Sequence, residues 1–122
     1  MIYVASPYSK HPRGVEQAYR EALVVTAYLV EREGSNVFSP IVHCHPLANI
    51  MKDCPRDFSY WQDYNRSMIE RCDSLLVAML DGWAESEGVS AEISHARALN
   101  KIVSFFGVTE IRDFEMRVAR AA

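Results

Sequence analysis

The chain has 122 residues, 49% of them hydrophobic and 24% charged, with a formal net charge of −3. That length buries a core without disulfides or metal, and the balance excludes a disordered chain and a basic, nucleic-acid-binding one. No apolar run approaches a membrane span, and the opening MIYVAS lacks the basic flank of a signal peptide, so neither a membrane partner nor a leader is expected.

Residues 1–5, MIYVA, read as a strand, followed by the loop SPYSKHPRG. From Val15 to about Glu33 the apolar residues recur at helical spacing, and Gly34 supplies the stop. NVFSPIVH, residues 36–43, reads as a second strand whose far half is weakened by Pro40. A short helix over LANIMK and a loop around CPRD fill residues 44–57. Phe58 to Arg71 is a long helix with Trp61, Tyr64, Met68 and Ile69 on one side. SLLVAML, residues 74–80, has the near-continuous apolar character of a central parallel strand covered on both faces. A helix to about Asn100, the strand KIVSFF and a last helix from about Glu110 complete the chain.

Strands alternating with helices predict an α/β fold. The expected form is a small doubly wound, flavodoxin- or Rossmann-like parallel sheet of four to five strands, with helices on both faces. No repeat or linker divides it, so residues 1–122 form one domain. Three cysteines at irregular spacing, Cys44, Cys54 and Cys72, argue for reduced thiols and a cytoplasmic setting. Ligands of such sheets bind beyond the carboxyl ends of the strands, which directs attention to SPYSKHPRG, SPIVHCHP and DGWAESEG.

One residue in the last of these regions stands out. In a helix starting near Glu87, Val89, Ile93, Ala96 and Leu99 form the stripe that packs on the sheet, and Glu92 lies along its edge. A buried carboxylate is paired, protonated or reserved for a ligand; one at the margin simply reaches solvent or an arginine. Ser86 fits an N-cap, and Gly88 lets the backbone approach a ligand.

IYVASPYS, then LLVAMLDGW, then S-x-G-x-x-x-E-x-x-x-A together resemble the nucleoside 2-deoxyribosyltransferase superfamily. Within it the chain is most similar to small proteins carrying DGW-x-x-S-x-G-x-x-x-E, relatives of the 2′-deoxynucleoside 5′-phosphate N-hydrolases. The likeness implies cleavage or exchange of the N-glycosidic bond of a (deoxy)nucleoside or its 5′-monophosphate. It makes Glu92 the nucleophile of a covalent glycosyl–enzyme intermediate. Tyr3 would position that carboxylate, and Ser86 and Gly88 would contact the 5′-phosphate. Asp81, ending strand three, would hold a sugar hydroxyl or the base. The likeness also implies a nucleoside or nucleotide substrate, a homodimer or higher homo-oligomer, and no cofactor.

The chain departs from the family where an aspartate assists base departure: Asn65 stands there, with Asp63 two residues earlier. An amide is no general acid, so either Asp63 takes over or base recognition differs. Ser6 and Tyr8 in the first loop are further substrate contacts, Tyr8 by stacking. Trp83 either caps a base or plugs the end of the sheet. His43 and His45 would share a face of a strand, which suits a metal or the wall of a sugar pocket; no metal is expected. The Trp61 and Tyr64 pair suits the core or a subunit interface. Two other functions fit the same residues: an NAD-glycohydrolase-like enzyme keeping the glutamate, and a non-catalytic nucleotide-binding or sensing module. Phosphate-loop, dinucleotide-fingerprint and nucleophile-elbow motifs are absent.

Overall fold

The computed structural model describes residues 1–51, 53–54 and 58–121, the side chains of 58, 108 and 118–121 excepted. Its elements are β1 (Ile2–Ala5), α1 (Val15–Glu33), β2 (Val37–Phe38), α2 (Pro40–Ile50), α3 (Phe58–Arg71), β3 (Ser74–Ala78), α4 (Glu87–Ala98), β4 (Ile102–Phe106) and α5 (Val108–Ala121). The four strands form one parallel sheet in the order β2-β1-β3-β4. The chain thus builds outward from β1 to β2, then crosses back to lay β3 along the other side of β1. That reversal opens a crevice at the carboxyl ends of β1 and β3.

Period-two alternation sends successive strand residues to opposite faces, and each face has its own core. Tyr3, Ala5, Leu75 and Val77 pack with Ile69 of α3 and with Val89 and Ala96 of α4. Val4 and Ala78 pack with Val25, Tyr28 and Leu29 of α1 and with Ile111 and Phe114 of α5. The sandwich is therefore doubly wound, as the apolar run SLLVA requires. Its outer strand is less covered: Ile102 in β4 is 75% exposed. No helix among the described residues is long and apolar enough to cross a membrane.

Several boundaries differ from the sequence reading. Residues 36–43 do not form one strand. Only Val37 and Phe38 pair, and Ser39 then caps α2, its hydroxyl accepting from the Val42 N–H at 3.2 Å. Pro40 sits at the first helical position, where its missing N–H is lost without penalty. The helix expected over LANIMK is the end of α2, which stops at Ile50; Lys52, and residues 55–57 of the CPRD loop, lie outside the described residues. β3 stops at Ala78, two residues short, and α5 starts at Val108.

α1 ends as its sequence suggests. Gly34 takes the left-handed conformation at φ +60°, and its N–H bonds to Leu29 O. Gly82 carries the sharper demand, with φ +90°; a β-carbon there would meet Pro12 Cδ at 3.1 Å. The turn after β3 thus packs directly on the loop after β1.

Candidate active site

Glu92 lies at the second turn of α4, 7% exposed, and accepts a hydrogen bond from the Tyr3 hydroxyl. Tyr3 is fully buried in β1. The stripe position forces the carboxyl under the sheet's end, and the phenol is its one hydrogen-bond partner among the described residues. Burial pushes the Glu92 carboxyl up to about 8, only partly opposed by the Tyr3 hydrogen bond. Burial, then the Glu92 charge, raises the Tyr3 phenol well above its usual range. Much of the Glu92 population is therefore uncharged near neutrality, ready to ionise when positive charge appears beside it.

Glu92 forms part of the lining of a cavity of about 150 Å³ at the β1/β3 crevice. The first loop supplies Ser6, Tyr8, Ser9 and Lys10. α2 supplies Pro40, Ile41, Cys44, His45 and Ala48, the face produced by three- and four-residue helical steps. Trp61 and Asn65, one turn apart, come from α3, and Ser86, Glu87 and Gly88 form the start of α4. Ser86 caps α4, its hydroxyl accepting from the Val89 N–H at 3.2 Å. Lys10 and Glu87 close an exposed ion pair of 2.6 Å between loop and helix.

Two lining groups await a partner. Ser6 Oγ and Asn65 Oδ1 are buried without a hydrogen bond among the described residues. Such groups are costly unless something polar fills the space they face. Cys44 is inert by comparison, since burial pushes its thiol up to about 11.

The cavity thus brings together Glu92, Ser6, Tyr8, Asn65, Ser86 and Gly88, with Tyr3 behind the carboxyl. Four other candidates stand elsewhere. Asp81 does not end β3; it lies beyond Leu80 in an exposed turn, 3.6 Å from the Arg13 guanidinium. Asp63 is exposed on α3, because it lies two residues from Asn65 and so on another side of the helix. Trp83 packs against Phe105 of β4 and closes the end of the sheet. His43 is exposed and meets the Tyr64 hydroxyl at 2.5 Å. The shared face expected for His43 and His45 assumed a strand; in a helix their side chains diverge, and His45 alone turns inward. Among the described residues no group of three or more histidine, cysteine or acidic side chains could hold a metal.

Sequence reasoning missed the apolar wall of Ile41, Ala48 and Trp61. The α2 part was hidden because residues 36–43 read as a strand, and its signal was the Ser-Pro helix start at residues 39–40. The loop itself is braced from behind. His11 is buried, its Nδ1 accepting from the Arg13 N–H at 3.0 Å and its Nε2 reaching Glu21 at 2.8 Å.

A comparison with characterised proteins yields no match to this chain. A family model described as a domain of unknown function, DUF1937, matches residues 1–108, and the chain belongs to that family.

Proposed function

We propose that the protein is an N-glycosidase or N-glycosyl transferase acting on a (deoxy)nucleoside or its 5′-monophosphate through a glycosyl–Glu92 ester. One observation carries the reading: a carboxyl buried at the edge of a sheet-facing stripe, hydrogen-bonded by Tyr3 and open to a cavity. In the first step ionised Glu92 attacks the anomeric carbon as the carbon–nitrogen bond to the base breaks. In the second, water or another base attacks that carbon and releases the carboxylate. The positive charge that develops on the sugar favours the ionised carboxyl that burial alone opposes.

The other groups fit parts of such a substrate. Ile41, Ala48 and Trp61 offer an apolar, partly aromatic wall to a planar base. Ser6 and Asn65 have unused polar atoms for sugar or base. The Ser86 hydroxyl and the Gly88 region open α4, where the helix dipole favours a phosphate. The same reading places the protein in a reducing, cytoplasmic compartment, consistent with three cysteines at irregular spacing. It also makes the protein a homo-oligomer joined through the exposed aromatic side of α3, where Tyr60 and Tyr64 face solvent.

Base release from nucleosides, their 5′-monophosphates and NAD, measured for wild type and Glu92→Gln, tests the reading. Cleavage of a nucleoside or nucleotide by wild type and near-abolition in the variant support it. Nicotinamide release from NAD alone would move the substrate class, and silence with retained nucleotide binding would make the domain a sensing module.

A further inference from the structure

A departing base needs a proton, and among the described residues the obvious donors are missing from the cavity. Asn65 carries an amide, Asp63 is exposed outside it, and Lys10 is engaged with Glu87. One lining hydroxyl is connected differently. Tyr8 Oη lies 2.6 Å from His45 Nδ1, and His45 Nε2 lies 3.1 Å from Glu16 Oε1. His45 is 2% exposed, while the Glu16 side chain is 77% exposed. The Tyr19 ring stacks on the imidazole with centroids 4.3 Å apart. A loop, α2 and α1 thus contribute one line of groups running from solvent to the cavity.

The same heavy-atom positions serve two protonation states. With a neutral imidazole, the Tyr8 hydroxyl donates to Nδ1 and Nε2–H donates to Glu16. With an imidazolium, Nδ1–H donates to Tyr8 Oη and the phenolic proton is released toward the cavity. In both states the Glu16 carboxylate faces Nε2 and the Tyr19 ring lies against the imidazole.

We infer that Tyr8 is the general acid and base of the reaction, reloaded through His45 and Glu16; the assignment rests on the N-glycosidic reading of Glu92. In the first half-reaction Tyr8 gives its proton to the leaving nitrogen as the glycosyl–Glu92 ester forms. His45 passes its Nδ1 proton to the phenolic oxygen and becomes neutral. In the second half-reaction an incoming water gives a proton to Tyr8 Oη, whose own proton returns to His45 Nδ1. The remaining hydroxide bonds to the anomeric carbon and the ester breaks. The net change is one base released with a proton, one sugar hydroxyl formed and the imidazolium restored. Tyr8 touches the reacting atoms; His45 and Glu16 are positioning residues that set its proton.

Leaving-group dependence tests this. The parent nucleotide that wild type cleaves best is set beside 7-methyldeoxyguanosine 5′-monophosphate, whose cationic base departs neutral without needing a proton. Tyr8→Phe is expected to lower kcat on the parent by about 100-fold or more and on the methylated substrate by less than about tenfold. His45→Gln follows the same pattern with KM little changed, and Glu16→Gln follows it more weakly. Retained turnover of the methylated substrate also shows, in the same sample, that each variant is folded. Equal losses on both substrates, or no loss on the parent, overturn the assignment while leaving Glu92 as nucleophile. If wild type releases no base from any substrate, the N-glycosidic reading fails and the assignment falls with it.

Discussion

Replacing Glu92 by glutamine should make the protein more stable at alkaline pH, and the gain should depend on pH in a defined way. Burial raises the Glu92 carboxyl from an ordinary 4.5 to about 8. The folded state therefore holds a proton that the unfolded chain releases between those values. The stability contributed by the neutral form is complete below about pH 4.5 and is lost as pH rises through about 8. Each pKa unit corresponds to about 1.4 kcal/mol, so the full shift amounts to about 5 kcal/mol, an upper bound once relaxation is allowed. Glutamine is nearly isosteric, keeps an oxygen for the Tyr3 hydroxyl and does not titrate. Urea unfolding of both proteins at about pH 5, 7 and 9 gives the difference directly, because every other group titrates in both. The variant's advantage should widen across the interval by several kcal/mol and level off above about pH 8. A difference constant to within about 0.5 kcal/mol would refute the reasoning, since it would mean that Glu92 ionises as freely in the fold as outside it.

Three further outcomes follow from the same geometry. Tyr3→Phe removes the hydrogen bond that lowers the Glu92 pKa, so the transition in the pH–stability curve should move to higher pH, with a loss of about 1–2 kcal/mol near neutrality; an unmoved transition would separate the two groups. Gly82→Ala combines a φ of +90° with a 3.1 Å approach to Pro12 and should lower stability by about 1–3 kcal/mol in calorimetry, whereas an unchanged Tm would mean that the turn relaxes freely. Cys44, its thiol pushed up to about 11, should react with iodoacetamide at about pH 8 at least tenfold more slowly than free cysteine. An ordinary rate, followed by mass spectrometry, would contradict its burial.

Glu92 was legible in the sequence because it broke a pattern: one carboxylate on an otherwise apolar helical stripe. β3 was legible because a strand covered on both faces has no polar positions to confuse it. α2 was not, because Ser39 and Pro40 read equally as the interruption of a strand and as the cap and first residue of a helix. That ambiguity displaced His43 and His45 as well, since a helix separates side chains that a strand would have aligned. The Tyr8–His45–Glu16 line lay beyond sequence reasoning altogether. Its members are 37 and 29 positions apart, and only the packing of α1 on α2 brings them together. Leu99, placed on the stripe by its spacing, falls just beyond the last turn of α4 and stays 40% exposed.

The sheet order also governs when the Tyr3–Glu92 pair comes into being. β1 is made before the other three strands of the sheet, yet it lies inside it, with only two residues registered against β2 and four against β3. Its longer ladder must wait for residues 74–78 to be synthesised, and the carboxyl that its tyrosine supports follows later still, 89 positions along the chain. Contacts of such separation close slowly and leave strand edges open in the meantime. During translation β1 is therefore a waiting template, and the nascent chain lacks the second member of the pair until Glu92 has been added.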